Sequence, residues 1–248
     1  MPVQQIATWS PYCGVAPAPG ELVQRWNLDP WLLAALALLA AGYVLHRRRG
    51  GAGRDGLVAL AGLLLVVSFV SPLCAASSAL FSARATHHAL LVAAAAPLLA
   101  FGLPRRAIPA LPLAPAVALH AAALWLWHAP GLYAWALSSD LAYWLMQAGL
   151  LGTALAFWSA VRRAGVLAGA AGLFVTMMQT GLLGALLTFA AEPLYAPHLA
   201  STWAFGLSPL ADQQLAGLIM WAPMAGAYLL AALALVGRSL SPVRVAPA

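Results

Sequence analysis

The 248-residue sequence has no lysine and only two cysteines, and 7% of its residues are charged. A soluble domain carries about a quarter charged residues, so this chain cannot clothe a water-facing surface. Without lysine there is no Schiff base to a retinal-type chromophore. Cys13 and Cys74 are too few for a disulfide-rich scaffold and show no CxxC zinc spacing. No HExxH segment is present, which excludes that class of zinc protease, and no GxSxG context is present for an activated serine. No enzyme is expected. The net charge of +6 is carried by arginines in short clusters between apolar runs rather than on one basic face, so nucleic-acid binding is set aside.

What the chain does have is hydrophobic length: 63% apolar residues and a mean hydropathy of +0.87. A span needs roughly 20 apolar residues, fewer where flanking groups snorkel. Seven runs qualify, near Pro30 to Leu45, Gly56 to Leu73, Ser78 to Phe101, Leu113 to Leu137, Ala142 to Val161, Val166 to Phe189 and Gln213 to Val236. They are continuous rather than alternating and rich in Ala and Leu, which favours helices over barrel strands. The expected fold is all-α, a polytopic membrane bundle of seven transmembrane helices.

Arg47, Arg48, Arg49, Arg54, Arg105, Arg106, Arg162, Arg163, Arg238 and Arg244 fall in turns on one side, and Glu21, Asp29, Asp140, Glu192 and Asp212 on the other. The positive-inside rule makes the arginine side cytoplasmic, with the N-terminus outside and the C-terminus inside. The division is an extracytoplasmic tail over 1–29, a transmembrane domain over 30–237 and a cytoplasmic tail over 238–248. The first 29 residues lack the basic start and apolar core of a cleaved signal. Trp9, Tyr12, Trp26, Trp31, Tyr133, Trp135, Tyr143 and Trp203 suit an outer aromatic belt, and Tyr43 and Trp158 an inner one. The connection from Ala190 to Ala211, broken by Pro193, Pro197 and Pro209, is long enough to cap the bundle.

Polar groups inside a span are expensive and turn to the bundle interior, so each is a functional candidate. At about 1.5 Å per residue, His87, His88, His128, Met177, Met178 and Met220 fall in one layer toward the outer side. Gln213, Met220 and Met224, spaced by seven and four, form one stripe. Imidazole and thioether together favour copper, particularly Cu(I), over oxygen-loving cations. Cys13 and Cys74 lie above this layer, with two readings open: a disulfide in an oxidising compartment, or a thiolate pair that receives copper, thiol exchange allowing both. For any single methionine, gap filling in the core is the simpler account. His120 has an equal claim to function and to packing, and His46 and His198 are loop residues expected in solvent. Arg84 shares a face with His87 and His88. It could snorkel, meet a lipid headgroup, or bind an anion such as a carboxylate or haem propionate. Histidines at matching depth on adjacent helices also allow a haem-binding redox protein, and helix packing alone allows a scaffold or transporter without a metal.

Several strings are familiar in combination: Pro11-Tyr12-Cys13-Gly14, Trp26-Asn27-Leu28-Asp29-Pro30, and Thr86-His87-His88-Ala89-Leu90-Leu91 followed by Ala96-Pro97-Leu98-Leu99 and Gly102-Leu103-Pro104. With Trp127-His128-Ala129-Pro130, Pro193-Leu194-Tyr195, Asp212-Gln213-Gln214-Leu215-Ala216-Gly217 and Met220-Trp221, the sequence resembles the seven-span CtaG family of cytochrome c oxidase assembly factors. The resemblance implies a bacterial plasma-membrane protein that helps build a haem-copper oxidase at a step delivering or retaining copper. Its partners would be oxidase subunits or other assembly factors. It also implies His88 and His128 as first site residues, with His87, Asp212 and Met220 next. The chain departs from the family pattern at Arg84, where a histidine is expected, and around Tyr143 and Trp144, where another is.

Overall fold

A computed structural model describes residues 9–109 and 111–240. The tail residues 241–248, Arg244 among them, and the first eight residues lie outside the described residues. The fold among the described residues is helical throughout, without strands. Its main helices are α1 (Pro30–Arg48), α2 (Asp55–Phe69), α3 (Pro72–Ala79), α4 (Phe81–Gly102), α5 (Leu113–His128), α6 (Pro130–Ala136), α7 (Asp140–Arg163), α8 (Val166–Thr188) and α9 (Pro209–Leu240). Five of them, α1, α4, α7, α8 and α9, are each long and apolar enough to cross a membrane. The pair α2 and α3, bent by 46°, makes a sixth if counted as one span, and α5 is apolar but shorter.

The breaks follow from local chemistry. Pro30 and Pro72 open α1 and α3 at a position where a missing N–H costs nothing. Asp29 accepts from the backbone N–H of Trp31 (2.7 Å) and Leu32 (3.1 Å), and Ser71 from Leu73 (3.2 Å). Proline restricts the residue before it, and the extended Ala129 that separates α5 from α6 precedes Pro130. Two prolines lie inside long helices, and each coincides with a wider π turn, Leu90–Ala95 before Pro97 and Met220–Met224 around Pro223. Pro97 has no N–H to offer the preceding turn. The carbonyl of Val92 instead accepts from the indole of Trp158, at 2.9 Å.

α4 and α7 are the central helices, each half buried, whereas α1 is almost wholly exposed on the flank. α8 and α9 meet through glycines. A Cβ on Gly217 would lie 2.6 Å from the Gly184 carbonyl, and one on Gly184 2.7 Å from the Gly217 carbonyl, so neither position has room for a side chain. The arginines gather at one end, as expected. Arg162 donates to the carbonyls of Ala100 (2.6 Å) and Leu103 (2.9 Å), and Arg163 to those of Arg105 and Ile108, closing the C-terminal end of α4 and the loop after it. Asp55 accompanies them and pairs with Arg47 at 2.7 Å.

At the opposite end, Cys13 and Cys74 form a disulfide with Cα atoms 5.4 Å apart. Asn27 donates to the carbonyls of Val70 and Phe69 where α2 breaks, so the N-terminal segment is fastened over that bend.

Replacing Gly217 with valine is expected to destabilise the α8–α9 crossing by about 1–3 kcal/mol, read as a lower thermal midpoint of the detergent-solubilised protein. Gly181→Ala on α8, one turn before Gly184, where the new Cβ meets Trp221 at an ordinary 3.7 Å, should leave the midpoint nearly unchanged.

Candidate functional site

Polar side chains converge where α4, α6, α7, α9 and the end of α5 meet toward the disulfide end. The first turn of α4 is held from another helix. Asp212 on α9 accepts from the N–H of Phe81 (2.6 Å), the N–H of Ser82 (3.2 Å) and the Ser82 hydroxyl (2.5 Å). The extended Leu80 has broken the chain just before, so these N–H groups have no intrahelical acceptor. A carboxylate at a helix N-terminus is favoured by the dipole as well as by its hydrogen bonds.

From that anchor α4 projects Arg84, His87 and His88 inward, all at most 2% exposed. The His88 ring lies 5.9 Å from that of His87 and 5.8 Å from that of His128, centroid to centroid. Neither ring nitrogen of His87 or of His88 has a hydrogen-bond partner. His128 donates from Nδ1 to the Leu124 carbonyl at 2.7 Å, which leaves Nε2 as the basic nitrogen. Met220 and Met224 are buried in the α9 turn that touches the first half of α4. The stripe that includes Gln213 therefore faces inward. Gln213 itself accepts from the Leu194 N–H at 2.7 Å and fastens the loop that precedes α9.

The loop after α8 covers this layer. Tyr195 donates to the His128 carbonyl at 2.8 Å and stacks on Phe81 at 3.8 Å. Ser201 donates to the Ala79 carbonyl at 2.6 Å. His198 is paired with the Tyr133 hydroxyl at 2.7 Å and is 2% exposed, which corrects the expectation of a solvated histidine. Burial lowers the His198 pKa to about 3 and raises that of Tyr195.

Other expectations need correction. Met178 is 53% exposed on the bundle surface, where it and Met177 line a groove of about 460 Å³ with Trp221, away from the interior face that carries Met220. Of the two readings open for Cys13 and Cys74, the structure has the disulfide, so neither sulfur is a thiolate ligand while that bond stands. Both Asp212 oxygens are spent on the α4 cap. Tyr133, Tyr143 and Trp158 are core residues rather than belt residues, since no more than 4% of any is exposed. Trp26, Trp31, Trp135 and Trp203 are exposed as a belt requires. His120 bridges helices, with Thr153 and Tyr228 each 3.2 Å from one ring nitrogen. Arg84 does not snorkel, being wholly buried. Sequence reasoning missed Gln147, buried on α7 with no partner for its amide, because one polar residue in an apolar run carries no directional signal.

Among the described residues no three His, Cys, Asp or Glu side chains stand close enough to share one metal ion. The donor set for a soft ion is therefore imidazole pairs and thioether.

A multi-helix membrane protein with a loop-capped cluster of buried imidazoles is the class that the fold and the site define. Residues 37–241 match the family model of the cytochrome c oxidase caa3 assembly factor (Caa3_CtaG), and the chain belongs to that family. No curated protein and no solved structure matches it significantly.

Because folded His198 takes a proton only near pH 3 whereas an unfolded imidazole takes one near 6.5, its contribution is complete above pH 6.5 and lost as pH falls toward 3. Between pH 6.5 and 5 this one group should cost about 2 kcal/mol. A His198→Gln variant should show a correspondingly shallower loss of thermal stability over that interval.

Proposed function

We propose that this assembly factor spans the membrane seven times, counting α5 with α6 as one crossing, with its disulfide end outside. It holds Cu(I) at His88 and His128 during maturation of a haem-copper oxidase in a bacterial plasma membrane. Met220 completes the donor set, with His87 as the alternative imidazole to His88, and the protein works by delivering or retaining the ion for oxidase subunits, without catalytic turnover. One observation carries the reading: two fully enclosed imidazoles, His87 and His88, leave all four ring nitrogens unpartnered beside His128. Buried polar atoms are nearly always satisfied, and neutral imidazole with thioether suits Cu(I). The Leu124 carbonyl fixes the His128 tautomer, the usual support for a ligating imidazole.

Protein purified after exposure to Cu(I) under reducing conditions should carry stoichiometric copper by elemental analysis, and His88→Ala with His128→Ala should carry less than a tenth of it. Copper retained by that double variant overturns the site. A Soret band in the wild-type preparation would replace copper with haem as the ligand. Asp212→Ala should lower the thermal midpoint, loss of the α4 cap costing about 1–2 kcal/mol, and should weaken copper retention without abolishing it, because α4 is then free to turn against α9.

A further inference from the structure

Arg84 is wholly buried, and Nε, Nη1 and Nη2 all lack a hydrogen-bond partner. A guanidinium does not escape this by losing its proton, and an ion enclosed without a partner is strongly destabilising. The single ion pair among the described residues is Arg47 with Asp55, at the far end of the bundle. Asp212, the carboxylate buried in this region, has filled its oxygens with the α4 cap. The remaining surroundings of Arg84 are tyrosine hydroxyls, rings and imidazoles, none of which supplies a compensating negative charge. The Tyr143 ring lies 5.3 Å from the guanidinium carbon, Tyr133 stands beside it, and His87 and His88 follow on the same helix face.

A second orphan adjoins the first. Gln147, one turn beyond Tyr143 on α7, is 2% exposed, and its amide lies beside the same Tyr143 hydroxyl that Arg84 approaches without either atom completing a hydrogen bond of normal geometry. Two enclosed polar groups from two central helices thus have unused donors around one tyrosine. We propose that Arg84, Gln147 and the Tyr143 hydroxyl form a binding site for a carboxylate. A planar carboxylate offers about four acceptor sites in the geometry of the guanidinium fork, which a spherical halide does not. The ligand is a free small acid or the acid group of a larger molecule. The inference does not rest on copper, because its donors are not the ring nitrogens of His88 and His128.

The test is the thermal unfolding midpoint of the purified full chain as formate replaces chloride at constant ionic strength. In the wild type the midpoint should rise and saturate. In Arg84→Met the formate response should vanish, and in Arg84→Lys, which lacks the fork, half-saturation should need at least tenfold more formate. Arg84→Met should unfold no earlier than formate-free wild type, since an apolar side chain there removes an uncompensated charge. The His88→Ala, His128→Ala variant should keep the response, which separates this site from the copper site. Equal protection by hexanoate assigns the carboxylate to a larger molecule, and protection by formate alone assigns it to a free acid. A wild-type midpoint that does not saturate, or an Arg84→Met protein that responds like wild type, overturns the proposal. If Arg84→Met does not fold, the wild-type and Arg84→Lys titrations decide it.

Discussion

The contact from Asp212 to the start of α4 fixes where everything else can be. A helix beginning inside the bundle, immediately after an extended residue, exposes N–H groups to surroundings that contain no water to satisfy them. The carboxylate on α9 supplies acceptors to Phe81 and Ser82, and in doing so it sets the rotation of α4 against α9. Arg84, His87 and His88 follow within the next two turns, and the Met220–Met224 turn of α9 lies against them. An acid that the sequence offers as a possible ligand is in fact the peg that aims the others.

The same accounting explains the rest of the bundle. Each break in a helix releases a backbone group, and a side chain from another element takes it up. Trp158 serves Val92 at the Pro97 π turn, Tyr195 serves His128 where α5 ends, and Arg162 serves Ala100 and Leu103 where α4 ends. Prolines therefore do more than interrupt: they oblige distant helices to present a donor at one place. Unpartnered buried atoms remain, the hydroxyls of Ser68, Ser78 and Thr202 among them, and the nitrogens of Arg84, His87, His88 and Gln147 are those that fall in the candidate site.

Much of this was readable from the residues alone. Continuous apolar runs marked the helices, arginine clusters marked one end, and the seven-and-four spacing of Gln213, Met220 and Met224 correctly put them on one buried face. The failures share a cause. Depth along a helix can be counted, but rotation about its axis cannot be judged for an isolated residue in a uniformly apolar segment. Met178 at the right depth turned outward, whereas Tyr133 and Tyr143, with the composition of belt residues, turned inward. His198 was unreadable for another reason: the loop that carries it folds back under Tyr133, and no local pattern announces such a return. The count of crossings was blurred by Pro72 and Pro130, which split apolar stretches into pieces too short to be judged by length.

Cys13 precedes α1 and Cys74 lies beyond α2, and the bond between them joins the two flanks of a hairpin whose far end holds the Arg47–Asp55 pair. That bond acts as a topological constraint. While it stands, α1 and the α2–α3 corner cannot part at the disulfide end. The cross-link thus makes one end of the hairpin a fixed hinge point and leaves the other to the connecting turn and its Arg47–Asp55 ion pair.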